Sequence, residues 1–370
     1  MYAYADAFVL TLPDKSPSSL HHFDRSTLNL LLFLLSASAQ GNMGTQEPLP
    51  DHGSNRPPYN PFAEHDFDQF VKDTLADFPA PGLAIAVVHG DQTFSKGYGH
   101  ASLEPEVAMT PRTLFYAGST TKSFTAALTS KLVDSQDSDY AHIGWNTKLV
   151  DIIREDFVLQ DEHAINHINL IDALSHRTGF PRHDLTWING DPSLRDTVRQ
   201  MRSLPFHNEL RMTWEYCNLM YHAVAHAIET MAQQSAAELL RKWIWTPLGM
   251  NETFYSIGEA LECEKKVDGV TMARGYLWDI DTKSFVQVEW ADLPPSTGAG
   301  GVLSNVLDYT KWMRTFLHAS TDSNPISESA IEKMTAAHIP LSPNPASGGT
   351  GGGFYGLGLE SGIYKGYLHT

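Results

Sequence analysis

Apolar positions along the chain recur in two rhythms. Over 63–77, Phe67, Phe70, Val71, Thr74 and Leu75 share one side of a helical projection while acids take the other, which predicts an amphipathic helix ending before Pro79. At Gly82–His89 a short apolar run precedes Gly90-Asp91 and a second segment at 92–98, the pattern of a hairpin about a tight turn. From Ser119 to about 251 the rhythm is helical. Phe124, Ala127, Leu128 and Leu132 set one helix, with others at 149–153, at 168–175 (stopped by Gly179 and Pro181), at 219–231 and at 236–245. Past Thr253 the pattern changes to strands at 275–279 and 285–290, a glycine-rich loop at 294–301, helices at 306–317 and 327–337, a second glycine-rich loop at 344–353, and a strand from Tyr355. No internal repeat is visible. Strands at the ends with helices between them predict an α+β fold. Its antiparallel sheet is expected to join N- and C-terminal strands, flanked by helices, with a helical region inserted. The expected boundaries are 1–60 as a leader, disordered or signal-like, 61–118 with 255–370 as the α/β part, and 119–254 as the mainly helical part.

Composition changes this picture little. The chain has 370 residues, 42% of them hydrophobic, enough for a large core. A net charge of -17 disfavours nucleic acid and anionic membrane surfaces as partners. Two cysteines, Cys217 and Cys263, do not make a disulfide framework, and no P-loop or dinucleotide glycine fingerprint occurs. The run at 28–35, apolar except for Asn29, is too short to span a bilayer, and small residues follow it to Ala39 as in a secretory signal. Asp6, Asp14 and Asp24 precede it where a signal has basic residues. A signal, a leader before Met43 and a packed N-terminal element all remain open, and so do cytoplasmic and secreted locations.

Candidate chemistry gathers at Ser119-Thr120-Thr121-Lys122, which opens the helix of Phe124 and Leu128. Positions i and i+3 share a helix face, so Ser119 and Lys122 point the same way. A lysine whose pKa is lowered by burial is a base for a serine nucleophile, and a helix N-terminus offers free N–H groups to an oxyanion. The competing reading makes Ser119 a helix cap. A second group is Trp214-Glu-Tyr216-Cys-Asn218-Leu-Met-Tyr221, in which Tyr216 otherwise reads as a core tyrosine and Cys217 as a packing residue. His222 and His226, four apart, lack the glutamate of a zinc-protease helix and read as surface or satisfied helix histidines. His176 and His183 border a Gly-Pro turn and read as structural.

Ser-x-x-Lys followed by Tyr-x-Asn resembles the serine beta-lactamase and penicillin-binding-protein superfamily. The similarity is to its branch of class C beta-lactamases, D-aminopeptidases, esterases and acyltransferases. Further segments carry it in the family's order: Leu174-Ser-His-Arg-Thr-Gly-Phe-Pro181, Thr246-Pro-Leu-Gly-Met-Asn-Glu-Thr253, Ala299-Gly-Gly-Val-Leu-Ser304 and Tyr355-Gly-Leu-Gly358. The resemblance implies a beta-lactamase/transpeptidase-like fold and acyl transfer through an acyl-Ser119 intermediate on an ester, amide or lactam of a small molecule or peptide. It implies Lys122 as proton acceptor or as the group that holds the base in its working state. It makes Tyr216 the general base, with its phenol pKa lowered by Lys122, and the acid to the leaving group. Asn218 is the partner of Lys122 or of the substrate amide. No metal or organic cofactor is implied. The family's third motif, a His/Lys-Thr-Gly strand, is expected beyond Tyr355-Gly-Leu-Gly358. Here only His369-Thr370 matches its opening, which suggests truncated C-terminal strands and impaired activity. The alternative is a non-catalytic binding protein of the same fold.

Overall fold

The computed structural model describes residues 7–10, 60–63, 65–184, 186, 192–290, 298–321, 323–341, 353–364 and 367–370. Within the expected leader, Ala7–Leu10 form a strand in parallel register with Gly82–His89, while the signal-like run at 28–35 lies outside the described residues. The predicted hairpin is present: Gly82–His89 pairs antiparallel with Gln92–Leu103, which bulges between His100 and Ser102 and continues to Glu106–Ala108.

Both faces of this sheet are covered, which is why Gly82–His89 reads as a continuous apolar run and does not alternate. Ile85, Val87 and Tyr98 pack with Val71 of the His65–Asp77 helix. Asp68 on that helix ties down the sheet by accepting from Lys96 Nζ at 2.7 Å and Tyr98 OH at 2.8 Å. On the other face Ala84, Ala86, Ala101, Met109 and Phe115 meet Val306, with Tyr309 and Met313 alongside, all three from the Val306–Leu317 helix.

Thr113–Tyr116 forms a short buried strand between Thr271–Met272, parallel, and Leu303–Ser304, antiparallel. It delivers the chain to the Thr121–Val133 helix. Every residue of that helix from Thr121 to Ser130 is buried, as is Leu132. It packs against the Asn218–Ala232, Ala236–Leu240 and Glu328–Thr335 helices. A helix buried on all sides needs polar side chains to find local partners. Thr129 Oγ1 accordingly donates to Thr125 O, and Ser130 Oγ to Ala127 O. Phe124 stacks on Trp312 at 4.5 Å between ring centres and meets Trp245 and Tyr309 edge-on.

The α+β class stands: strands of the N-terminal part pair with strands of the 255–370 part where Thr113–Tyr116 meets Thr271–Met272 and Leu303–Ser304. The last described strands form a separate sheet. Ile339–Pro340, Phe354–Tyr355, Glu360–Tyr364 and Tyr367–His369 form their own antiparallel meander. Tyr355-Gly-Leu-Gly358 is mainly the turn that leads into Glu360–Tyr364. It lies against the central helix: a Cβ on Gly358, whose φ is +73°, would come 2.5 Å from Lys122 O. Only glycine fits that backbone and that gap.

Candidate active site

Ser119 lies in a single 3-10 turn, Gly118–Thr120, between the Thr113–Tyr116 strand and the Thr121–Val133 helix. This strand–turn–helix junction leaves Ser119 exposed while Lys122, one turn on, is 1% exposed. The turn is fixed from outside: Ala117 N donates to Val302 O, Val302 N donates to Thr121 Oγ1, and Thr120 Oγ1 meets Tyr309 OH at 2.7 Å.

Lys122 Nζ makes three hydrogen bonds, to Ser119 Oγ at 3.3 Å, Asn218 Oδ1 at 2.8 Å and the Ala299 carbonyl at 2.8 Å. It also lies 4.7 Å from the ring centre of Tyr216 and 5.2 Å from that of Tyr221. Among the described residues no carboxylate bonds it directly. Burial pulls its pKa down to about 7, helped by the positive charge of Arg182 and opposed by Asp184. The neutral amine is therefore well populated at neutral pH, unlike that of an ordinary lysine.

Tyr216 OH donates to Ser119 Oγ at 2.5 Å. The resemblance implied a phenol lowered by Lys122, and the structure has the opposite. Burial raises Tyr216 to about 12, and the hydrogen bond from its OH to Ser119 and the charge of Arg182 offset this only in part. A lysine held near neutrality supplies little positive charge to draw the phenol down.

The backbone around Tyr216 is held by His176, which has a left-handed φ of 58°. Cys217 N donates to His176 Nδ1 at 3.0 Å, and Glu215 N donates to His176 O at 2.7 Å. The imidazole packs 4.3 Å from the Tyr216 ring and 4.8 Å from that of Tyr355. Burial keeps it well below the usual histidine range, so it stays neutral and structural. Cys217 is fully buried and its thiol is pushed up to about 12, which makes it a packing residue and not a nucleophile.

Asn218 begins the Asn218–Ala232 helix. Its Oδ1 faces Lys122 and its Nδ2 donates to Asp184 Oδ1 at 2.9 Å. Asp184 Oδ2 in turn accepts from Arg182 Nε at 2.7 Å, and the Arg182 guanidinium lies 5.0 Å from the Tyr216 ring centre. The four residues singled out from the sequence, Ser119, Lys122, Tyr216 and Asn218, thus converge on one point. Sequence reasoning missed Arg182, Asp184 and the Ala299 carbonyl. The first two directly follow the Leu174–Pro181 resemblance segment, which is the one signal that pointed to them.

The other candidates fall elsewhere. His226 Nε2 pairs with Asp156 Oδ2 at 2.9 Å, and His222 is buried, its pKa pulled down to about 3 by burial and Lys122. No group of three or more His, Cys, Asp or Glu placed to hold a metal occurs among the described residues. No helix among them is long and apolar enough to cross a membrane. His369 ends the last described strand, and Thr370 Oγ1 lies 2.9 Å from Ser361 Oγ.

Comparison with known proteins gives the chain's relatives by sequence and by fold. The chain is 38% identical over 311 residues to the unguisins hydrolase of Aspergillus campestris (strain IBT 28561), covering 82% of this chain and 55% of that protein. It is 36% identical over 265 residues to the unguisins hydrolase of Aspergillus violaceofuscus (strain CBS 115571), covering 70% and 46%. The chain therefore spans about half the length of these curated relatives. The D-aminopeptidase of Gluconobacter oxydans (strain 621H) is 25% identical over 77% of this chain and 49% of its own. Among solved structures, the octameric penicillin-binding protein homologue from Pyrococcus abyssi shares the fold with a TM-score of 0.67. That match has 24% identity and covers 82% of this chain and 66% of the other. The D-amino acid amidase from Ochrobactrum anthropi SV3 does so with a TM-score of 0.64 at 21% identity, covering 82% of each chain. The family described as Beta-lactamase matches residues 67–369, and this chain belongs to it.

Proposed function

We propose that this protein is a serine hydrolase that cleaves an amide or ester of a small molecule or peptide through an acyl-Ser119 intermediate. The observation that carries the reading is Lys122: a buried amine with a pKa of about 7, 3.3 Å from an exposed serine hydroxyl that also receives a 2.5 Å hydrogen bond from Tyr216. Neutral Lys122 takes the Ser119 proton as Oγ attacks the carbonyl. The proton returns to the leaving nitrogen or oxygen by way of Tyr216, whose phenol stays protonated at neutral pH. Water then releases the acyl group by the same route in reverse. The backbone N–H of Ser119 is assigned to the developing oxyanion.

The substrate reading follows the relatives' names. Unguisins are the first compounds to assay, with D-amino-acid peptides second and a beta-lactam third. The test is intact mass after brief exposure to a fluorophosphonate, with Ser119→Ala alongside. One adduct on the parent and none on the variant is the expected result. A folded parent without an adduct would overturn the acyl-serine mechanism.

A further inference from the structure

Lys122 is linked to the outside of the site by a chain of hydrogen bonds that the catalytic steps above do not use. It runs from Lys122 Nζ to Asn218 Oδ1 at 2.8 Å, from Asn218 Nδ2 to Asp184 Oδ1 at 2.9 Å, and from Arg182 Nε to Asp184 Oδ2 at 2.7 Å. It closes on the site again where the Arg182 guanidinium lies 5.0 Å from the Tyr216 ring centre. We propose that Asp184 and Arg182 are positioning residues of this hydrolase: Asp184 holds the Asn218 amide with its oxygen toward Lys122, and Arg182 fixes Asp184 while bracing the Tyr216 ring. The inference rests on the acyl-serine reading above.

Donor and acceptor chemistry supports the assignment. A carboxylate only accepts, so it selects the NH2 of Asn218 and leaves the amide oxygen for the lysine. Turning the amide over would place an oxygen against the Asp184 carboxylate, which cannot donate to it, and an NH2 against Lys122, which cannot accept from it as an ammonium. Without Asp184 only the Lys122 contact is left along this chain to set the amide's orientation. Arg182 is 60% exposed and Asp184 is 22% exposed, so their ion pair adds little to stability as an isolated surface bridge. Its place beside the catalytic lysine and tyrosine gives it a different use.

The charges bear on Lys122 with opposite signs, Arg182 disfavouring the ammonium and Asp184 favouring it. The other titratable groups facing Lys122 are Tyr216, Cys217 and Tyr221, with His176 and His222 close enough for its charge to act on them. The loop at 298–302 brings it the Ala299 carbonyl.

The test measures the rate of Ser119 labelling by a fluorophosphonate against pH, across the Lys122 titration. The variants are Asp184→Asn, Asp184→Ala, Arg182→Ala and Arg182→Lys. Asp184→Asn keeps an acceptor for Asn218 but removes the charge, so the acidic limb moves to lower pH. Asp184→Ala frees the amide and slows labelling roughly tenfold at the plateau as well. Arg182→Ala moves the limb to higher pH, and Arg182→Lys restores it. Melting temperatures separate these effects from misfolding, and the exposed Arg182 pair of variants keeps the test open if an Asp184 variant does not fold. A labelled parent whose variants keep its midpoint and rate overturns the positioning role alone. A folded parent that is not labelled overturns the acyl-serine reading and this one together.

Discussion

Lys122 is an ordinary residue in sequence and an unusual one in place. Burial, helped by the charge of Arg182, holds its pKa at about 7. A lysine base works only when neutral, so kcat/KM should fall as pH drops through about 7 and level off above it. Tyr216 stays protonated until the pH approaches about 12, so no loss from its ionisation is expected in the usual assay range. A rate that kept climbing with pH well above the Lys122 midpoint would instead assign the base to a tyrosinate. Replacing the amine with an apolar chain, Lys122→Met, should slow acylation by about 10²- to 10⁴-fold, the usual share of a positioned base. Tyr216→Phe should cost about 10²-fold and leave the acidic limb in place, since the pH dependence belongs to the lysine. Single-turnover acylation rates across pH test all three.

The Thr121–Val133 helix is the element on which these residues depend. It begins one residue after the turn that carries Ser119, and its backbone is approached by the Tyr355–Gly358 turn. Gly358→Ala would push a Cβ to 2.5 Å from Lys122 O at a backbone φ of +73°. Overpacking of that kind costs about 1–3 kcal/mol, and more where the neighbour is backbone. Urea unfolding should show the loss, and the acylation rate should fall as well because the helix must shift to make room. The sequence was informative about elements of this kind. The helices at 149–153 and 306–317 have the predicted bounds, and the hairpin turns at Gly90-Asp91 as expected. Ser235 and Glu238 form the capping box that opens Ala236–Leu240. The predicted helix at 236–245 instead changes to a π-turn over Arg241–Trp245. There Trp245 turns inward to meet Phe124, a tertiary contact that periodicity does not report.

At the scale of the molecule, Asp172 shows how the helical region is joined to the rest. Its carboxylate is fully buried and accepts from Arg177 Nε at 2.7 Å and Arg211 Nη2 at 2.7 Å. Arg177 also donates to His338 O, beside the C-terminal Ile339–Pro340 strand. Asp172→Ala would leave the guanidinium of Arg177 short of its partner and Asn169 N without its acceptor in the capping box. Breaking a buried pair typically costs about 3–5 kcal/mol, so the denaturation midpoint should fall markedly. Ser119 labelling in the surviving folded fraction should keep its pH profile, because Asp172 is not among the charges that act on Lys122.

The sequence by itself determined what neighbours within a few positions control. The spacing of Ser119 and Lys122 puts them on one helix face, and Tyr216 and Asn218 flank a helix start. Alternation and helical period mark most elements, because backbone geometry repeats over those distances. Tertiary structure alone decided what those groups are. It placed the Ala299 carbonyl, from a loop far along the chain, on the Lys122 amine. It set Arg182 and Asp184 behind Asn218, moved Lys122 down and moved Tyr216 up, against the lowering that the resemblance implied. It also paired Thr113–Tyr116 with Leu303–Ser304 and gathered the strands from Ile339 onward into a separate meander. Protonation depends on desolvation and on charges brought together from distant parts of the chain, and strand pairing depends on which edges meet. Neither is encoded at a fixed spacing in the sequence.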